Sequence, residues 1–279
     1  MTMNNNQKKR EKALQKELRA VEKQEQRMQK NFVKAKQPGW KTALGDKIPQ
    51  KVYTGLESAF GKGFSLVFNQ GRSIIEKSYN KENLQNNHSI RDYAVQLKGS
   101  RKELKAVHKS AKRSDGVNMV VTTAEGLALG ALGIGLPDIV LFITTLLKGV
   151  YESALNYGFD YDTPEEQYMI LNMMSASLIT GQERLEWDEM IDGMIAEPPR
   201  NVAKEVLEEQ IRETASVFAM DMLILKFIQG FPVVGILGGI ANPIYYNRVL
   251  RYVQLKYRKR YLLKQIGSLN AGEMKEETV

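Results

Sequence analysis

No cysteine occurs anywhere in the 279-residue chain, and that absence removes disulfides, thiolate nucleophiles and cysteine metal sites together. Histidine is nearly as scarce: His88 and His108 are the only two, too few for a histidine-rich metal centre. The opening MTMNNNQKKR has no apolar run, so no secretory signal is visible and a cytoplasmic location is expected. Gly61-Lys62-Gly63 lacks the longer glycine loop ending in Gly-Lys-Ser/Thr that cradles phosphates. Neither a GxSxG nucleophile elbow, a dinucleotide fingerprint nor a zinc-protease signature is present. Nothing here asks for an enzyme, and no catalytic residue, cofactor or metal is expected.

What the chain does hold is charge, in blocks. Residues 1–115 carry 26 Lys+Arg against 11 Asp+Glu, residues 116–243 carry 6 against 18, and residues 244–279 carry 8 against 3. The net charge of +8 therefore conceals two basic regions around an acidic one, an argument about surfaces and partners rather than fold.

Residues 7–36 lack Gly and Pro and are rich in helix formers. Leu14, Leu18, Val21, Met28 and Phe32 form a narrow apolar stripe interrupted by Glu25. The pattern suits a coiled-coil strand, a helix packed on the body or a membrane-surface helix, the alternative being a solvated, frayed arm. Gln37-Pro38-Gly39 ends it, which sets a basic helical arm at 1–37 and a main helical domain at 38–266. Within that domain one helical region is expected over 50–80, a polar loop holding His88 over 80–89, and a basic surface helix over 92–113 with His108 exposed. Asp188, Glu189 and Asp192 read as a solvated acidic face, and residues 267–279 as a disordered tail.

The centre of the chain is Gly126 to Gly158. Leu127 to Leu147 carries one charge, Asp138, and is long enough to span a bilayer, but Gly130, Gly133, Gly135 and Pro137 break it into two helices meeting at an elbow. Pro137 opens the second helix with Asp138 in its first turn, and Asn156-Tyr157-Gly158 closes it. In Asp160-Tyr161-Asp162-Thr163-Pro164-Glu165-Glu166, Asp162 or Thr163 caps the next helix and Pro164 opens it. A second elbow runs from Gly230 to Gly239, after which Asn242-Pro243 starts the last helix. The fold class is thus all-α, a multi-helix bundle with two glycine/proline elbows joining apolar helices.

The order Gly135-Leu136-Pro137-Asp138, apolar helix, Tyr157-Gly158-Phe159-Asp160, Pro164-Glu165-Glu166, with a late glycine-rich run and Asn242, resembles the EcsC family over about Pro49 to Leu263. The family takes its name from a bacterial protein encoded beside ABC transporter subunits. The resemblance implies an accessory role near a membrane transporter and carries no catalytic motif.

The last helix interleaves cations and tyrosines: Arg248, Arg251, Tyr252, Lys256, Tyr257, Arg258, Lys259, Arg260 and Tyr261 are candidates for a membrane-surface face. An anionic membrane surface and a membrane protein complex are the expected partners. Nucleic acid is disfavoured because no recognised nucleic-acid motif accompanies the charge. The reading is a non-enzymatic interaction protein, peripheral on the inner face of the membrane. One alternative is a soluble hydrolase-like or metal-dependent enzyme using the acidic cluster near Asp160. Another is an integral protein with an inserted helical hairpin, which Asp138 and Lys226 oppose because a mid-bilayer charge costs ~3 kcal/mol or more.

Overall fold

A computed structural model describes residues 5–34, 50–117, 137–228 and 243–276, and both elbows, with Gly135 and Asn242, lie outside them, as do the surroundings of the Asp138 side chain. Among the described residues the regular elements are ten α-helices and one π-helical turn, with no strand. They are α1 (Asn5–Lys34), α2 (Gln50–Leu66), the π turn (Val67–Gly71), α3 (Arg72–Lys77), α4 (Lys81–Lys98) and α5 (Arg101–Val117). From residue 137 onward come α6 (Pro137–Asn156), α7 (Pro164–Leu178), α8 (Glu183–Ala196), α9 (Lys204–Ile228) and α10 (Pro243–Glu276).

α6 is the hub. Ile139, Val140, Ile143, Leu146, Leu147 and Val150 are fully buried, and α2, α4, α5 and α10 pack around them. Residues Ile139–Asn156 are long and apolar enough to cross a membrane, with a mean hydropathy of 1.2, yet 89% of that stretch is buried inside the protein. Its faces meet other helices. At Gly149 a Cβ would lie 2.6 Å from the Tyr246 hydroxyl and 2.9 Å from Leu250 Cδ1, so glycine sets how closely α6 and α10 approach. On the other side α9 lies against α2 and α7, and Phe60, Phe64, Phe142, Phe218 and Tyr245 cluster there, Phe64 and Phe218 edge-to-face at 5.4 Å. In α7 the run from Met169 to Leu178 is wholly buried, so its methionines are core filler.

Several sequence expectations need correction. Of the readings left open for the arm, the helix packed on the body is the one observed, and the solvated arm is not: Leu14 and Val21 are fully buried, and α1 lies on α10 with α4, α5 and α8 at its sides. The helical region over 50–80 is interrupted by the π turn, which buries Val67 and Phe68. The polar stretch 80–89 is the first half of α4, capped by the Asn80 side chain accepting from the Asn83 N–H. The basic helix expected over 92–113 is two helices, broken at Gly99 with φ +54°. A Cβ there would also lie 2.7 Å from the Arg10 Cβ of α1. Finally, α10 continues through residues 267–276 with Leu269 buried, so this part of the expected tail is helix.

Candidate functional site

The candidate surface of the last helix is mostly inside. Tyr252, Lys256, Tyr257 and Tyr261 are buried, Arg248, Arg258, Lys259 and Arg260 are half-buried, and of the nine only Arg251 is exposed. Each inward group has an acidic partner on a neighbouring helix. Lys256 Nζ lies 2.9 Å from Glu25 and 2.7 Å from Asp192, and Lys259 Nζ 2.8 Å from each. Arg258 pairs with Glu17, which Arg101 also reaches at 2.6 Å. Arg260 meets Glu166 at 2.7 Å, and Arg248 meets Asp221 at 3.3 Å and donates to the carbonyls of Ser177 and Leu178. Tyr252 donates to Asp188, Tyr257 to Glu166 and Tyr261 to Asp92, each at 2.7 Å. Burial raises the pKa of all three hydroxyls. Asp188 is buried, not solvated. Burial alone would raise its pKa, but Arg184 at 3.1 Å and Lys256 at 3.7 Å hold it below the ordinary value. The acidic face expected at Asp188 and Asp192 is therefore the lining of a charge network, with Glu189 left outside it.

The motif between α6 and α7 is built in the same way. α6 ends in a Schellman cap: Phe159 N–H donates to Ala154 O and Gly158 N–H to Leu155 O, both at 3.0 Å, with Gly158 at φ +77°. The two histidines clamp this turn. His88 Nδ1 is 3.0 Å from the Asn156 carbonyl, its ring fills the space a Gly158 side chain would need, and His108 Nδ1 is 2.8 Å from the Tyr157 hydroxyl. His108 is thus half-buried rather than exposed. Burial, then Arg258 and Lys112, lower its pKa to about 4, and burial lowers that of His88 as well. Asp160 and Asp162 face Lys81, which sits 4.5 Å over the Tyr161 ring, itself stacked on Tyr151 at 4.1 Å. Thr163 caps α7 through the Glu166 N–H, Pro164 occupies its first turn, and Glu165 accepts from the Val202 N–H at 3.3 Å. Among the described residues no group of three His, Cys, Asp or Glu is placed to hold a metal.

The exposed cations lie elsewhere. In α1 two of the four glutamates, Glu17 and Glu25, point into the body, Glu11 is half-buried and Glu22 is exposed. Lys8, Lys9, Lys12, Lys16, Arg19, Lys23, Arg27 and Lys30 all face solvent. Beside them α5 exposes Lys102, Lys105, Lys109 and Lys112 while Leu104, Val107 and Ala111 face inward. α4 carries the feature that sequence reasoning missed: Ile90, Tyr93 and Leu97 are 68%, 65% and 61% exposed. Tyr93 and Leu97 read as the apolar face shared with Leu104 and Val107, which holds only if the helix runs unbroken. Gly99-Ser100 was the signal for the break.

An all-helical body with an apolar hub helix, three proline-opened helices and a clamped YGFD turn defines the class. The chain belongs to the EcsC protein family, whose model matches residues 12–262. The match opens inside α1, so the family unit includes most of the expected arm. No curated protein and no solved structure matches the chain.

Proposed function

We propose that this is a non-enzymatic, membrane-associated interaction protein, docking peripherally on the anionic inner face of the membrane, beside a membrane protein complex such as a transporter. The observation that carries the reading is the outward cation face of α1 and α5, left over after Arg248, Lys256, Arg258, Lys259 and Arg260 of α10 are paired internally. Lys and Arg near an anionic leaflet contribute about 1 kcal/mol each, so roughly six engaged at once would give affinity in the tens-of-micromolar range. Behind that face, Gly149 and Gly158 allow close packing and the ion pairs tie α10 to its neighbours, while Asp160 and Asp162 pair with Lys81.

Co-sedimentation with vesicles tests it. The protein is expected to pellet with anionic vesicles, to be released as salt screens exposed charge, and to stay free of neutral ones. Replacing Lys102, Lys105, Lys109 and Lys112 by Glu is expected to weaken binding more than tenfold. Binding that ignores both lipid charge and salt would overturn the reading.

A further inference from the structure

The cation face alone would suit any polyanion. Resting on the docking reading, we infer that α4 carries a lipid-inserting ridge, Ile90, Tyr93 and Leu97, which makes the partner an anionic bilayer and sets the orientation of the body on it.

Three observations converge. Spacings of three and four residues put the side chains on one helix face, the three most exposed large hydrophobics among the described residues. The opposite face is committed: Val95 is fully buried, His88 holds the Asn156 carbonyl and Asp92 accepts from Tyr261. No rotation of α4 can bury the ridge without breaking those contacts. The charge beside it is complementary to one kind of surface. Gly99 abuts Arg10 of α1, and Arg101 at the start of α5 pairs with Glu17 of α1, so the ridge ends at Leu97-Lys98 beside the two helices that carry the outward cations. A nucleic acid matches the lysines but offers no apolar phase for Ile90 and Leu97. An anionic bilayer supplies headgroup charge and, about 5–10 Å deeper, acyl chain, with tyrosine favoured at the boundary.

The absence of cysteine makes the test clean, because a single introduced thiol is the only labelling site. Leu97→Cys and, as a remote control, Lys204→Cys, whose lysine side chain is 80% exposed on α9, are labelled with an environment-sensitive fluorophore in the full chain. On anionic vesicles the probe at 97 is expected to shift to shorter wavelength and to be quenched by lipids carrying shallow acyl-chain spin labels. The probe at 204 is expected to stay in water. Leu97→Asp is expected to weaken vesicle binding about tenfold while leaving melting unchanged, because the site is already exposed. Salt-sensitive binding with a solvated probe at 97 and full affinity in Leu97→Asp would overturn the ridge and leave the docking reading standing. Failure of the unmodified chain to bind anionic vesicles would sink both. Binding to nucleic acid in preference to vesicles, with the probe at 97 solvated, would replace the bilayer by a polyanion.

Discussion

Gly158 is the residue at which backbone and packing demands coincide. Its φ of +77° suits glycine, and the space beyond it is taken by the His88 ring. Gly158→Ala is expected to cost about 2–4 kcal/mol in urea unfolding, combining left-handed backbone strain with displacement of the ring. A loss below about 0.5 kcal/mol would mean that the ring moves freely. The same turn makes stability depend on pH. Both histidines have folded-state pKa values below the ordinary 6.5, His108 at about 4. The unfolded chain therefore binds protons first as pH falls. The stabilisation is complete above about pH 6.5 and is lost progressively between there and about pH 4, by at most a few kcal/mol. Denaturation midpoints measured across that window should fall with pH, and His108→Gln, which cannot titrate, should flatten part of the slope. An unchanged slope in that variant would remove His108 as a source.

Helix ends written in local chemistry are legible in the sequence: Pro137 opens α6, Gly158 closes it, and Thr163-Pro164 starts α7. Helix faces whose partners are distant in sequence were not. Glu25 looks like a flaw in the apolar stripe of α1, because the lysine that explains it, Lys259, stands 234 residues away. The interleaved tyrosines and cations of α10 carry the composition of an interfacial helix for the same reason that they suit a buried one: each has an apolar body and a polar tip. Only the acidic partners on α1, α4, α7, α8 and α9 decide between the two. The ion pairs predict how α1 is held. Glu17→Ala removes one carboxylate from two arginines, and because a buried pair broken on one side leaves its partner uncompensated, a loss of about 2–4 kcal/mol is expected. Hydrogen exchange should show α1 amides opening sooner than in the unmodified chain. Wild-type protection along α1 would mean that Leu14 and Val21 hold the helix without the glutamate.

At the scale of the molecule, the charge blocks of the sequence recombine in three dimensions. The inward cations of the basic C-terminal block are paired with glutamates of the basic N-terminal one and with carboxylates of the acidic middle, while the outer cations of α1 and α5 face solvent. That arrangement gives α1 two duties, closing the network over α10 and presenting charge outward, and the two separate experimentally. Deleting residues 1–34 uncovers Arg101, Lys256, Arg258 and Lys259 and the apolar surface under Leu14 and Val21. Each buried aliphatic side chain accounts for about 1.5–3 kcal/mol, so with the ion pairs a loss of about 5 kcal/mol is expected, roughly 10–20 °C in melting temperature. A detachable arm would leave melting untouched and reduce vesicle binding alone. Replacing the outward Lys16, Arg19, Lys23 and Arg27 by Gln makes the converse change. It is expected to weaken vesicle binding while lowering melting by no more than about 4–8 °C, less than the deletion, because surface substitutions of this kind shift stability by at most about 0.5 kcal/mol each. If the Gln variant melts as low as the deletion, the outward cations are part of the fold and the division of duties along α1 is wrong.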